Sequence, residues 1–326
     1  MTLHDIVIVT PALAAANNGN WQTAQRWARM LSGDYRPRLT DGWQGGDERL
    51  MIALHARRSA TSVAAWRAVH PRRPLIVVLT GTDLYRDIAV DTEAQRSLAL
   101  ADRLVVLQPL GTASLPATMR AKARVCVQSS PARRALAKSG RRLRALMVGH
   151  LREEKSPRTY FEAARLLAAR PDIHLDHIGG PLDTALADEA RRLAAQCPSY
   201  RWLGALPHEA TRRRIQRAHL LVHPSRMEGG AHVVIEAVTS GTPVIASRID
   251  GNVGLLGEDY AGYFDCGDAA GLATLLQRCR DEPDMLARLR AACALRAESF
   301  RPERERQTLN AIVGELLAGA RHGDLT

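Results

Sequence analysis

The chain has 326 residues, of which 46% are hydrophobic, 24% charged and only 4% aromatic, with a formal net charge of +11. That length has room for two domains of about 150 residues, and the composition excludes a disordered or fibrous chain. The opening MTLHDIVIVTPAL lacks a basic stretch before a long apolar core, and no run reaches 18 apolar residues, so a cytoplasmic protein is expected, neither secreted nor membrane-spanning.

Apolar, β-branched runs recur along the chain with helical segments between them. The first series lies at 6–9, 50–54, 75–79, 104–107 and 125–127. The second lies at 145–148, 173–178, 200–203, 220–223, 244–246 and 262–264. Strands alternating with helices predict parallel sheets covered on both faces, and two series predict two Rossmann-like α/β domains. The polar, basic stretch 131–142, PARRALAKSGRR, marks the change-over. The domains are thus expected at 1–138 and 142–301. Residues 302–320 read as one amphipathic helix with Leu309, Ile312, Val313, Leu316 and Leu317 on one face. This helix, within 302–326, is expected to pack back on the N-terminal domain.

Between the first run and the second, Gly19-Asn20-Trp21 opens a helix whose apolar positions are Trp21, Ala24, Ala28 and Leu31. Asn20 and the local amides suit a phosphate-like ligand, or Asn20 caps the helix. Thr80-Gly81-Thr82-Asp83 ends another strand on the same edge. There Thr82 and Asp83 can reach a ligand, or Asp83 serves the turn.

The stretch from Arg120 to Arg144 carries nine Lys or Arg and no acidic residue, yet no aromatic residue for base stacking. It reads as a solvated connection beside an anion site, and no nucleic-acid partner or stable membrane association is expected. The cysteines Cys126, Cys197, Cys266, Cys279 and Cys293 form no CxxC pair and read as reduced thiols.

The segment VGHLREEKSPRTYFEAARLLAA takes a buried strand through Gly149 and a charged loop into a helix. Ser156 is a candidate N-cap, Pro157 suits the first helical position, and Tyr160, Phe161, Ala164, Leu167 and Ala168 form the apolar face. Such a loop lies where open α/β sheets bind anions, so Arg152 and Lys155 can meet a diphosphate.

Further on, LLVHPSRMEGGAHVVIEAVTSGTPVIA runs strand, Gly-rich turn, helix, strand. Gly229 and Gly230 allow close backbone approach, and a helix starting near Ala231 or His232 presents its positive end. Glu228 and Glu236 stand eight residues apart, about two helical turns, and two carboxylates there suit sugar or ribose hydroxyls better than phosphate. His177, His208, His219 and His223 lack HExxH or other tight metal spacing, and no DxD-like pair ends a strand. No metal or cofactor is therefore expected, and negative charge on a ligand falls to Lys155 and Arg152.

Together these segments resemble the GT-B glycosyltransferases of the family 4 type, whose donor domain carries a G-R-L-x-x-x-K-G loop and an E-x7-E element. The matching stretches are Gly149-His150-Leu151-Arg152-Glu153-Glu154-Lys155 and Glu228 through Glu236-Ala237, followed by Gly241-Thr242-Pro243-Val244. His150 replaces the usual Arg, and Gly230-Ala231 replaces Phe-Gly. The resemblance implies two Rossmann-like domains facing each other across a cleft and a retaining transfer from a UDP-sugar. Lys155, Arg152 and Glu228 would be catalytic, while Gly149, His150, Gly229, Gly230, Ala231, His232 and Glu236 would bind the donor. Gly19, Asn20, Trp21, Thr82 and Asp83 would serve the acceptor in the N-terminal domain.

The words TPALAAANNGNWQTAQRWARML, LTGTDLYRD and SRIDGNVGLLGEDYAGYF narrow the likeness to the selenosugar synthases of selenoneine biosynthesis. That branch implies UDP-N-acetylglucosamine or UDP-glucose and selenophosphate as substrates. The alternative is a GT-B enzyme with a hydroxyl acceptor.

Overall fold

The computed structural model describes residues 3–11 and 19–323, with side chains to residue 319. It resolves into two compact units, residues 1–129 with 228–230 and 302–326, and residues 130–227 with 231–301. Each is built on a six-stranded, wholly parallel sheet.

The first sheet contains β1 (His4–Val9), β2 (Tyr35–Thr40), β3 (Leu50–Leu54), β4 (Leu75–Leu79), β5 (Arg103–Val106) and β6 (Ala123–Val125), in the order β2-β1-β3-β4-β5-β6. Strand order therefore reverses between β1 and β3, and ligands of open α/β sheets sit outside the carboxyl ends of strands at such a point. Alternate side chains leave a strand on opposite faces, and here both faces are dry. Val7, Val9, Met51, Ala53, Val77 and Leu79 pack on one side with Val63 and Trp66 of the helix Ala60–Val69 and Leu98 of Thr92–Leu100. Ile6, Ile8, Ile52, Ile76 and Val78 pack on the other with Ala24, Trp27 and Leu31 of Gly19–Leu31.

The C-terminal helix Pro302–Gly323 lays Leu309, Ile312, Val313 and Leu317 on that second face, as its pattern predicts, with Leu316 partly buried. Its Glu305 carboxylate, fully buried, accepts from Trp27 Nε1 at 2.6 Å, Arg26 Nε at 2.9 Å and the Ser129 amide at 2.7 Å. The buried charge is thus paired and hydrogen-bonded, the condition under which burial is tolerated.

Three expectations change. Strand β2, YRPRLT, has no apolar run and carries Pro37, which an edge strand accommodates because one side of it makes no ladder. The last strand of this sheet is Ala123–Val125 rather than 125–127. In the first helix the fully buried tryptophan is Trp27, while Trp21 stays part-exposed, because the buried stripe runs through Thr23, Ala24, Trp27 and Leu31.

The second sheet contains β7 (Leu143–Val148), β8 (Ile173–Ile178), β9 (Tyr200–Trp202), β10 (Leu220–His223), β11 (Val244–Ser247) and β12 (Tyr263–Phe264). Their order is β12-β11-β10-β7-β8-β9, so the reversal falls between β7 and β10. These are the two strands that lead into the charged loop and the Gly-rich turn.

Candidate functional site

At the carboxyl end of β7 the chain passes through Gly149, His150 and Leu151 into a short 3-10 turn, Glu153–Lys155, before the helix Pro157–Leu166. A glycine pair lets this loop settle. A Cβ on Gly179 would fall 1.8 Å from the Gly149 carbonyl oxygen, so the ends of β7 and β8 approach only because no side chain stands there. His177, fully buried on β8, brings Nε2 within 3.0 Å of that same carbonyl and Nδ1 within 3.2 Å of the Tyr200 hydroxyl, and burial pushes its pKa down to about 4. The ring is therefore neutral, with its Nε2 proton donated to Gly149.

His150 accepts the Gly180 amide on Nδ1 at 2.9 Å, which fixes its ring. The Lys155 side chain folds back across the strand end, its Cγ 3.3 Å from the Cβ position of Gly149. Ser156 occupies the expected cap position with Pro157 first in the helix, but in a left-handed conformation (φ 49°, ψ 50°) and without a capping bond to the backbone. Its hydroxyl instead meets Thr159 Oγ1 at 2.9 Å and accepts from Arg226 Nε at 3.4 Å. Ala168 lies past the helix end and is exposed, outside the apolar face that Tyr160, Phe161, Ala164 and Leu167 form.

Arg226 comes from the loop after β10, and its amide donates to the Glu154 carbonyl at 2.9 Å. The two loops of the switch point are thus tied to each other, and Arg152, Lys155 and Arg226 come from one small region. Sequence reading missed Arg226. Its signal was position alone, three residues past the end of a strand adjoining β7.

Three buried polar atoms here have no hydrogen-bond partner among the described residues. They are Arg152 Nε after β7, Ser225 Oγ after β10 and Asn252 Oδ1 in the helix Asp250–Leu256 after β11. Asn252 is otherwise anchored, its Nδ2 donating to the Ser247 carbonyl at 2.9 Å. Buried polar groups are nearly always satisfied, so several orphans at the carboxyl edge of one sheet point to a polar ligand.

Glu236 sits in the helix His232–Val238, 2% exposed. Its Oε1 meets His208 Nε2 at 2.5 Å, His232 Nδ1 at 3.4 Å and Arg212 Nε at 3.7 Å. Burial alone would raise this carboxyl, but the bonds from His208 and His232 outweigh it and hold the group well below the usual carboxylate range. Sequence reading assigned Glu236 and His232 but not the flanking His208 and Arg212. The ligand atoms of His208, His232 and Glu236 lie within 4.8 Å of one another, a set that can chelate a transition metal. The Arg212 guanidinium already balances the carboxylate, however, which weakens the case for a second cation.

Glu228 and Gly229 are buried and Gly230 is part-buried; all three group with the first unit, whereas buried Ala231 and part-exposed His232 belong to the second.

In the first unit, Gly19 is exposed, and Asn20 is the second residue of the described helix rather than its cap. Thr82 is part-buried past β4. Asp83 has no exposed surface, and its carboxylate accepts the amides of Ala56 (2.9 Å), Thr80 (2.9 Å) and Gly81 (2.8 Å), joining the loops that follow β3 and β4.

The family of glycosyl transferases group 1 matches residues 128–295, more than half of the chain. The chain belongs to this family. Among curated relatives it is 32% identical over 166 residues to a D-inositol 3-phosphate glycosyltransferase of Streptomyces scabiei, which is 48% of this chain and 37% of that relative. To the enzyme so named from Mycolicibacterium gilvum it is 29% identical over 227 residues, covering 64% of this chain and 49% of the relative. The chain therefore matches half or less of the length of these relatives.

Among solved structures it resembles the sucrose-phosphate synthase of Thermosynechococcus elongatus with a TM-score of 0.78 at 17% identity, over 97% of this chain and 100% of that one. It also resembles Anabaena HepE in complex with UDP-glucose, with a TM-score of 0.76 at 14% identity over 96% and 100% of the two chains. Those likenesses establish the GT-B fold for this group 1 chain.

Proposed function

We propose that the protein transfers a sugar from a UDP-sugar bound by its C-terminal unit to selenophosphate bound by its N-terminal unit. The observation that carries the donor half is the β7–β10 switch point, where two loops tied to each other carry Arg152, Lys155 and Arg226 beside orphaned buried polar atoms. A diphosphate satisfies such a site, and cations held in place stabilise the charge that develops on departing UDP. Glu236, kept ionised, accepts the ribose hydroxyls. HepE, with the same fold, is described in complex with UDP-glucose, which supports this class of donor.

The acceptor assignment rests on the resemblance of the words LTGTDLYRD and SRIDGNVGLLGEDYAGYF to selenosugar synthases. Selenium attacks the anomeric carbon as the bond from that carbon to the diphosphate oxygen breaks, and its electron pair leaves on UDP. Water then takes the phosphoryl group from selenium, leaving the selenosugar and phosphate. A selenium anion is nucleophilic enough to need little general-base help.

The curated relatives favour a second reading, in which a hydroxyl of an inositol phosphate is the acceptor. Incubating the protein with UDP-N-acetylglucosamine or UDP-glucose, alone, with selenophosphate, or with D-inositol 3-phosphate, and weighing the products by mass spectrometry separates them. The proposal expects a glycosyl-selenium product only with selenophosphate. A glycosyl-inositol phosphate, or no turnover with any combination, overturns it.

A further inference from the structure

His55, the first residue after β3, lies beside the switch point of the first sheet and was not singled out by sequence. It is 3% exposed and adopts φ 73°, a left-handed conformation uncommon for a residue with a side chain. Such strain persists only where the surroundings enforce it, and it concentrates at functional sites. Here the enforcement is visible: the His55 amide donates to the Val78 carbonyl at 2.8 Å, and its carbonyl accepts from Ser59 at 3.0 Å.

The ring makes two further contacts. Nδ1 accepts the Arg58 amide at 3.3 Å, and Nε2 lies 3.0 Å from Thr82 Oγ1. A nitrogen that accepts an amide proton carries none itself, so the neutral ring holds its proton on Nε2 and donates it to the Thr82 oxygen. Burial lowers the pKa of His55 against the opposing pull of Asp83, with Arg58 adding to the lowering, Asp87 opposing and Arg57 adding again, which favours this neutral form. Asp87 Oδ2 and Asp83 Oδ2 stand 3.9 Å from the two ring nitrogens, beyond hydrogen-bond reach.

With its oxygen accepting from His55, Thr82 must send its own proton elsewhere. Among the described residues that proton has no acceptor. The hydroxyl sits on a rigid base, because Asp83 beside it binds three amides of the adjoining loops and Gly81 takes φ 149°, which glycine alone adopts readily. Thr82 is part-buried and so can be reached.

We propose that His55 is a positioning residue that turns the Thr82 hydroxyl into a dedicated hydrogen-bond donor to a phosphoryl oxygen of the acceptor. The inference rests on the reading that the N-terminal unit takes the acceptor. A phosphoryl group is common to selenophosphate and inositol phosphates, and its anionic oxygens make the strongest acceptors for such a donor.

The test is titration calorimetry of the full chain, saturated with UDP, using selenophosphate in one arm and D-inositol 3-phosphate in the other. Thr82→Val removes the donor in nearly the same volume, His55→Asn keeps a residue that tolerates positive φ, and the double variant closes a cycle. We expect Thr82→Val to weaken phosphoryl binding by about ten- to a hundredfold, the range for a hydrogen bond to a charged group. His55→Asn should weaken it several-fold in the wild-type background and not at all beside Thr82→Val, with UDP affinity constant throughout.

Equal losses from His55→Asn in both backgrounds would mean a purely structural role and overturn the proposal. So would wild-type binding by Thr82→Val, or no phosphoryl binding by the wild-type chain. If His55→Asn fails to fold, His55→Gln takes its place in the cycle. Binding is read without turnover, so a failed transfer assay leaves this result interpretable.

Discussion

Glu236 offers a perturbation whose cost can be worked from its contacts. In Glu236→Gln the shape is kept and the charge removed. His208 has a side chain 41% exposed and can turn to water, so its loss is small. Arg212 cannot: its side chain is 8% exposed, and apart from NH2 donating to the Pro131 carbonyl at 2.8 Å its charge faces Glu236. Gln keeps an oxygen facing that guanidinium, so less is lost than the about 3–5 kcal/mol of a fully unpaired buried charge, and we take about 2 kcal/mol, within the about 1–3 kcal/mol of an unsatisfied buried partner.

For a domain of this size that lowers the melting temperature by about 4–8 °C. If Glu236 also accepts the ribose hydroxyls, UDP affinity falls by a further fivefold to about a hundredfold, measured well below the melting transition. Thermal melting by circular dichroism and UDP titration on the same preparation read the two effects separately. A variant that melts and binds UDP like the wild type would show that Glu236 neither balances Arg212 nor holds UDP. One that melts lower but binds UDP normally refutes the donor role alone.

Lys155→Ala should lower kcat by about a hundredfold while the protein stays folded, since it removes one preorganised cation from the leaving group; an active Lys155→Ala beside an inactive Arg152→Ala would shift that role to Arg152. His177 gives a stability signature. Its folded pKa, about 4, lies below its ordinary 6.5, so the unfolded chain binds more protons between those values and stability is lost as pH falls from 6.5 towards 4. The loss attributable to this ring is about 3 kcal/mol, and denaturant titrations of His177→Gln across that window should show a shallower slope. Parallel slopes would mean that the ring is protonated in the fold.

Much of this was legible in the sequence because buried parallel strands are continuous apolar runs and the loops between them are short. The switch-point loop could be read from Gly149 to Lys155 for that reason, and the C-terminal helix from its apolar spacing. What escaped depends on contacts between distant segments. Strand β2 is polar and proline-bearing, recognisable only from its pairing with β1. Trp21 and Trp27 stand six residues apart on one helix, and the buried one lies on the stripe packed against the sheet, its Nε1 bonded to Glu305 far along the chain. His55 follows an apolar run as an ordinary loop residue would, and its bond to Thr82 joins the ends of two neighbouring strands. Arg226 and Arg212 likewise acquire their roles from partners that periodicity does not reveal.

The transfer we propose, from a UDP-sugar to the selenium of selenophosphate, can be followed directly. Phosphorus NMR of one reaction mixture, containing the protein, UDP-N-acetylglucosamine or UDP-glucose and selenophosphate, follows donor, UDP, selenophosphate and phosphate together. We expect UDP to appear in step with the loss of selenophosphate and UDP release to stop when selenophosphate is omitted. UDP appearing while the selenophosphate signal stays constant, or a donor signal that never changes, would contradict it.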